Sequence, residues 1–181
     1  GASSAALLRH WLLGATADRL LRASSCPILF VRQTPHEPYR AVLIAVDFST
    51  CSAISITRAR RLAPQAQIFL LHACALPFEG KMRFAGVSDA TVMQYRSDAR
   101  RKARDQLQSL ADKAGLTSQQ WSSVVTQGDP GQDILQQQVE LDAELIVLGK
   151  HGTAVTEELL LGSVTQQVLG QAHCDVLVTP C

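Results

Sequence analysis

The chain has 181 residues with a formal net charge of +1, and 46% of its residues are hydrophobic and 18% charged. This composition excludes a disordered protein, and the length suits one domain plus an appendage. The balanced charge argues against a nucleic-acid surface, and the apolar runs are far shorter than the ~20 residues that span a bilayer. We expect a cytoplasmic location, with neither nucleic acid nor membrane as a partner.

From residue 41 onward, short apolar runs alternate with amphipathic stretches. Strands are predicted over 41–46, 67–73, 120–126, 144–148 and 175–179, with helices over 52–62, 90–114, 130–139 and 162–172. Asp129 and Pro130 suit the N-cap and first position of one helix, and Gly115 suits the end of another. Continuous apolar strands joined by right-handed crossovers predict an α/β fold: a Rossmann-like, doubly wound parallel sheet of five strands with helices on both faces.

In such a sheet a ligand lies beyond the carboxyl ends of the strands, where the strand order reverses. The residues in question are Asp47, Ala73 with Cys74, Gly128 and Gly149. The connection over 75–89 is long enough to serve as a lid or a partner contact, and a mobile surface loop is an equal alternative.

The two ends of the chain resemble each other at a constant offset of 148 residues. Leu12-Leu13-Gly14 followed by Cys26-Pro27-Ile28-Leu29 matches Leu160-Leu161-Gly162 followed by Cys174-Asp175-Val176-Leu177. We therefore predict that residues 1–33 are the closing helix and strand of a preceding copy of the domain, in a chain that starts inside that copy. Residues 34–39 would be a linker and 40–181 the complete domain, with the first segment docked on the strand over 175–179. An unrelated N-terminal arm is the alternative.

The strongest local signal is a set of glycines around the fourth of these strands. Gly149 and Gly152 follow that strand, and after nine further residues Gly162-Ser163 opens the last helix. Glycines let backbone amides approach an anion without a Cβ in the way, and a helix N-terminus favours phosphate. The pattern predicts a polyphosphate held from two sides, and tight turns without a ligand are the alternative.

This G-x2-G-x9-G-[S/T] spacing resembles the ATP-binding motif of the universal stress protein family. Further matches are Val46-Asp47-Phe48-Ser49, Leu70-Leu71-His72-Ala73, Gly128-Asp129-Pro130 and Cys174-Asp175-Val176-Leu177-Val178, the last with Asp175 where the family has proline. The expected order of the five strands is 3-2-1-4-5. Ser4 and Ala15 depart from the motif in the first segment, which we expect to bind no nucleotide.

The resemblance implies an ATP site and the residues that form it. Those near the base and adenosine would be Ala45, Asp47 and Ala73, and those around the ribose and phosphates Leu148, Gly149, His151, Gly152, Thr153, Gly162, Ser163 and Val164. Mg²⁺ or Mn²⁺ would bridge the phosphates without a dedicated protein site. Two alternatives stay open: Asp47 as a carboxylate that only stabilises a helix N-terminus, and His151 as a solvent-facing loop residue.

Three functions are compatible with this sequence. The favoured one is a regulatory, stress-response domain that binds ATP and pairs with a second such domain, or with another copy in a homodimer, through its last strand. An ATP hydrolase is not indicated beyond slow turnover, since Asp47 is the only acidic residue predicted near the site, with no paired carboxylate and no convincing base. The G-x4-G-K-[S/T] loop of fast NTPases is absent from the sequence. The third is an interaction module without nucleotide, acting through dimerisation or partner contacts.

The five cysteines, Cys26, Cys51, Cys74, Cys174 and Cys181, show no metal-binding spacing. We expect most of them to be reduced and to behave as small apolar residues. Cys181, as the last residue, could be reactive.

Overall fold

The computed structural model describes residues 15–32, 34, 37–74, 85, 87–152 and 161–180. Within these ranges lie five helices and six strands: α1 (Ala15–Ala23), β1 (Ile28–Phe30), β2 (Ala41–Ala45), α2 (Thr50–Leu62), β3 (Gln67–Ala73), α3 (Asp89–Lys113), β4 (Trp121–Thr126), α4 (Pro130–Glu140), β5 (Leu145–Gly149), α5 (Ser163–Gln171) and β6 (Asp175–Thr179). Every helix and strand predicted after residue 40 is confirmed, with ends within two residues of the prediction.

The helix boundaries follow from local capping chemistry. Asp129 accepts a hydrogen bond from the Gln132 amide at 2.9 Å, and Pro130 occupies the first turn of α4, as predicted. Gly115 follows α3 with a φ of +68°, a left-handed conformation that glycine adopts without steric cost. These caps fix where α3 and α4 begin and end relative to the sheet.

The sheet differs from the prediction in strand number and order. It has six strands rather than five, in the order β1-β6-β5-β2-β3-β4, so the predicted 3-2-1-4-5 order is wrong for the sheet as a whole. The difference arises because β1 adds to the edge next to β6 and runs antiparallel to it, with Leu29 opposite Leu177. The other neighbouring strands pair in parallel. An edge strand exposes unpaired backbone groups, and β1 satisfies those of β6.

Two hydrophobic clusters cover the two faces of the sheet. Successive strand residues alternate between them: Leu145 and Val147 belong to one, Ile146 and Leu148 to the other. The first cluster contains residues of α2 and α3, and the second contains residues of α1, α4 and α5. Helices on both faces are thereby confirmed, and Leu21 makes α1 part of the core.

The predicted docking of the N-terminal segment on the last strand is also confirmed. Leu21 of α1 is 2% exposed in the cluster that holds Val168 and Leu169 of α5. Burying a leucine side chain contributes about 1.5–3 kcal/mol. The pairing of β1 with β6 and the burial of Leu21 in this cluster hold residues 15–32 against the rest of the fold.

Candidate functional site

A cavity of about 470 Å³ lies at the carboxyl ends of β2, β3 and β5, where the strand order reverses. Ten of the eleven residues predicted for the site line this cavity: Ala45, Asp47, Ala73, Leu148, Gly149, His151, Gly152, Gly162, Ser163 and Val164. The eleventh, Thr153, lies outside the described residues. The structure thus brings together residues spread over 120 positions of sequence, while their role in binding stays a prediction.

The glycine loop, residues 149–152, lies against the start of α5 through main-chain contacts. The Lys150 amide donates to the Thr179 carbonyl at 2.9 Å, and the Lys150 carbonyl accepts from the Gly162 amide at 3.0 Å. The Thr165 hydroxyl donates to the Gly149 carbonyl at 2.8 Å. These bonds fix the loop between β6 and α5.

Close approach explains why two loop positions are glycine. A Cβ on Gly149 would lie 3.2 Å from the His151 carbonyl oxygen, and one on Gly152 would lie 3.3 Å from Oδ2 of Asp47. Contacts this short require the neighbouring atoms to shift. At these two positions the absence of a side chain keeps the backbone next to the cavity.

The N-terminus of α5 opens into the cavity. Gly162 is its N-cap and provides no side-chain hydrogen bond, while Ser163, Val164 and Thr165 of the first turn line the cavity. The first N–H groups of a helix have no acceptor within the helix, and the helix dipole places partial positive charge there. Together with the glycine loop, this helix end provides amide donors suited to an anionic group.

Asp47 connects the turn after β2 to the start of α2. Its Oδ1 accepts hydrogen bonds from the Ser49 amide at 3.0 Å, the Ser49 hydroxyl at 2.5 Å and the Ser52 hydroxyl at 2.9 Å. Oδ2 is the atom that a Cβ added at Gly152 would meet first. The carboxylate therefore has the fold-supporting role named as the alternative, and it also forms part of the cavity wall.

The opposite wall is mainly apolar and includes residues that sequence reasoning missed. Pro130 and Ile134, from the first turns of α4, line the cavity with Leu71. The Asp129-Pro130 pair predicted where α4 begins in the sequence. It did not predict that this end of α4 lies next to the cavity. An apolar wall beside amide donors suits a ligand with an aromatic and an anionic end.

His72, also unpredicted, is held by two contacts. Its Nδ1 donates to the Val46 carbonyl at 2.8 Å, and its ring lies 4.3 Å from that of Phe48, centroid to centroid. Phe48 has a φ of +63°, an uncommon conformation for a residue with a Cβ. The strained turn and the His72 bond together position Asp47 and Ala45 at the mouth of the cavity.

The profile of the universal stress protein family matches residues 38–180. The chain belongs to this family. The universal stress protein YxiE of Bacillus subtilis is 27% identical over 145 residues, covering 77% of this chain and 98% of that protein. A universal stress protein of Mycobacterium tuberculosis is 25% identical over 187 residues, and the match covers 98% of this chain but 59% of that longer protein.

Two solved universal stress protein structures share the fold. One from Archaeoglobus fulgidus is 18% identical with a TM-score of 0.63, and the match covers 95% of this chain and 57% of that one. The other, a universal stress protein in complex with cAMP, is 24% identical with a TM-score of 0.52, over 80% of this chain and 98% of that one. The chain thus spans under two thirds of the length of some relatives and nearly all of others.

One departure from the universal stress protein pattern has a clear structural use. Asp175, where the family resemblance leads us to expect proline, is 4% exposed and accepts from the Arg32 amide at 2.7 Å and from the Tyr39 hydroxyl at 2.5 Å. Its own amide donates to the Glu144 carbonyl at 3.2 Å, a bond that proline cannot make. Asp175 therefore fastens both the end of β1 and the approach to β2.

The Tyr39 contact predicts a pH dependence of stability. Burial, and then the hydrogen bond to Asp175, raise the pKa of Tyr39 well above its ordinary value of 10.0. Above about pH 10 the unfolded chain loses this proton while the folded chain keeps it, so the free energy of unfolding should fall as pH rises. Urea unfolding at pH 8 to 11 should show this decrease, and it should be smaller in Tyr39→Phe. Equal slopes in the two proteins would contradict the assignment.

Three of the five cysteines are reduced, as predicted for most of them, and two of these, Cys74 and Cys174, are buried. Cys26, Cys74 and Cys174 are free thiols, and burial raises the pKa of Cys174 to about 11. Cys51, which lines the cavity, is disulfide-bonded and is thus an exception to the reduced state expected of most cysteines. Cys181 lies outside the described residues.

The connection over 75–89 was expected to be a lid, a partner contact or a mobile surface loop, and its positions 75–84 and 86 lie outside the described residues. Within the residues that the structure describes, no group of three or more His, Cys, Asp or Glu side chains is arranged to hold a metal. No helix in those same ranges is long and apolar enough to cross a membrane.

Proposed function

We propose that this universal stress protein domain binds an adenine nucleotide, ATP foremost, as a regulatory module of a stress response. The observation that carries the proposal is the single cavity shared by the glycine loop, the open N-terminus of α5 and Asp47. In the proposed pose, the adenine lies by Ala45, Ala73 and the apolar wall. The phosphates meet the amides of Gly152, Ser163 and Val164.

A divalent cation would enter this site with the nucleotide. Asp47 is the acidic residue among those that line the cavity, and its Oδ1 already accepts three hydrogen bonds. Mg²⁺ usually keeps several waters and binds through substrate phosphates. We therefore expect Mg²⁺ or Mn²⁺ to be held by phosphate oxygens and water. Among the described residues, Asp47 is the acidic residue that lines the cavity, and we therefore propose binding rather than rapid hydrolysis.

A structural neighbour solved with cAMP makes a cyclic nucleotide the natural competitor. ATP offers three phosphates to the amide donors, whereas cAMP offers one that is tied to the ribose. Because the donors come from both the glycine loop and α5, we expect the longer polyphosphate to bind more tightly.

The test is thermal unfolding with ATP, ADP, adenosine and cAMP, each with Mg²⁺. A ligand that binds only the folded state at 100 times its Kd stabilises it by about 2.7 kcal/mol, so the Tm should rise by several degrees with ATP and less with adenosine. An unchanged Tm with millimolar nucleotide would contradict the proposal and favour the interaction module without nucleotide.

We also propose that residues 1–33 correspond to the last helix and strand of a preceding universal stress protein domain, with 34–39 as the linker. Support comes from the repeated sequence and from the relatives that match nearly all of this chain but only 57–59% of their own length. The antiparallel pairing of β1 with β6 is how two such domains, or two copies, would join through their last strands.

A further inference from the structure

The Lys150 side chain, in the middle of the glycine loop, points away from the cavity. It is 6% exposed and is not among the residues that line the cavity, and its Nζ donates to the Arg22 carbonyl at 2.5 Å. Arg22 lies in the last turn of α1. The loop that would hold phosphate is thus bonded through this side chain to residues 15–32, here called the N-terminal segment.

Breaking the hydrogen bond between the Lys150 ammonium and the Arg22 carbonyl would cost free energy. The last four carbonyls of a helix lack partners within the helix, and the helix dipole places partial negative charge there. Lys150 provides a cation to that end, in the manner of a C-terminal cap. A buried ammonium without a partner is strongly unfavourable, so separation of α1 from the loop would force Lys150 to move into water.

The N-terminal segment also contacts the other half of the site. The Arg32 guanidinium donates to the Leu169 carbonyl near the end of α5, and Leu21 packs in the cluster that contains Val168 and Leu169. The helix whose first turn opens into the cavity is therefore held by the same segment. The Lys150 main chain links the two halves, since its carbonyl accepts from the Gly162 amide.

We propose that Lys150 is a positioning residue that couples docking of the N-terminal segment to the geometry of the ligand site. Docking of residues 15–32 holds the glycine loop and α5 in the arrangement that presents their amides to one ligand. By thermodynamic reciprocity, a ligand that needs this arrangement strengthens the docking in return. The ligand half of this proposal rests on the proposed nucleotide function, and the coupling half can be tested without ligand.

The ligand-free test is amide hydrogen exchange measured by NMR on the full chain with Leu21→Ala. This change leaves a void beneath α1, and Leu21 itself is not among the residues that line the cavity. We expect exchange at the Lys150 and Gly162 amides to become faster by about tenfold, relative to central amides such as those of Ile44 and Leu70. The matched control is Leu107→Ala, which removes an equally buried leucine on the opposite face of the sheet.

Two outcomes of the exchange experiment decide whether docking of the N-terminal segment is coupled to the glycine loop. Selective acceleration in Leu21→Ala but not in Leu107→Ala supports the coupling. The same exchange pattern in both variants, after correction for their global stability, would overturn it. Neither outcome depends on nucleotide binding.

The second test uses Lys150→Met, which keeps the aliphatic stem and removes the ammonium. In the unsubstituted protein ATP should slow exchange over residues 17–24. In Lys150→Met that protection should be lost, and ATP affinity should fall on the order of tenfold. Lys102→Met, at an exposed position of α3, should change neither measurement.

The outcomes of this experiment separate positioning from direct contact. If Lys150→Met weakens ATP binding but ATP still protects residues 17–24 fully, the lysine acts on the phosphates themselves and the proposal is wrong. If the unsubstituted protein binds no ATP, the proposed function fails, and the comparison of Leu21→Ala with Leu107→Ala still decides the coupling.

Discussion

Gly152→Val is expected to lower the affinity for ATP by roughly a hundredfold or more while the domain stays folded. A Cβ at this position would lie 3.3 Å from Asp47 Oδ2, and the two further methyl-group carbons of valine would occupy the space next to the Gly152 amide. Overpacking costs about 1–3 kcal/mol, to which the loss of amide contacts to phosphate adds, and each 1.4 kcal/mol is a factor of ten in Kd.

The fold should tolerate this change because the conformation of Gly152 lies outside the left-handed region, so a side chain there introduces no left-handed backbone strain. Isothermal titration calorimetry gives the affinity, and urea unfolding without ligand gives the stability. Gly170→Ala, within α5 and outside the cavity-lining set, is the control and should bind ATP normally. Unchanged ATP binding in Gly152→Val would show that this loop does not hold the phosphates.

Asp175→Ala should lower the free energy of unfolding by about 2–4 kcal/mol. The change leaves the Tyr39 hydroxyl and the Arg32 amide without their acceptor in a region where Asp175 itself is 4% exposed. Since the Arg32 contact holds the end of β1 next to β6, the variant should also expose the edge of β6 and self-associate at high concentration. Urea unfolding and sedimentation velocity measure the two effects.

Asp98→Ala provides the control, because this carboxylate pairs with Arg101 on the surface of α3 and such pairs contribute little. Tyr39→Phe should cost less than Asp175→Ala, since it removes one of the two hydrogen bonds. A loss below about 0.5 kcal/mol in Asp175→Ala would mean that Asp175 contributes no more than an ordinary surface residue.

The helices and strands were predictable because each one is encoded locally. Unbroken apolar runs such as 145–148 have the length of a doubly buried strand, and Asp129-Pro130 provides both the cap and the dihedral angle that start a helix. The glycine spacing predicted residues of the cavity for a similar reason: Gly149 and Gly152 occupy places where another backbone or side chain comes within 3.2–3.3 Å of a Cβ.

What sequence reasoning missed depends on contacts distant along the chain. A strand in the N-terminal segment was predicted and so was its docking, but the sheet itself was predicted with five strands. Hydrogen bonds between β1 and β6, nearly 150 residues apart, make β1 its sixth strand. Ile134 reaches the cavity because α4 packs beside β3, and Lys150 turns away from it because α1 ends there. In the sequence, Asp175 was noted only as a departure from the proline of the family pattern. The positions of Arg32 and Tyr39 show that its carboxylate accepts two hydrogen bonds.

The most direct measurement is an ATP titration followed by amide chemical shifts of the isotopically labelled protein with Mg²⁺. A triphosphate held by the glycine loop and α5 should change the amide chemical shifts of Gly152, Ser163 and Val164 most, and these changes should saturate. Smaller changes are expected at Ala45 and Ala73. The chemical shifts of those amides could stay unchanged at millimolar ATP, or saturable shifts could occur only at residues outside the cavity. Either result would mean that the nucleotide site assigned to this chain does not exist.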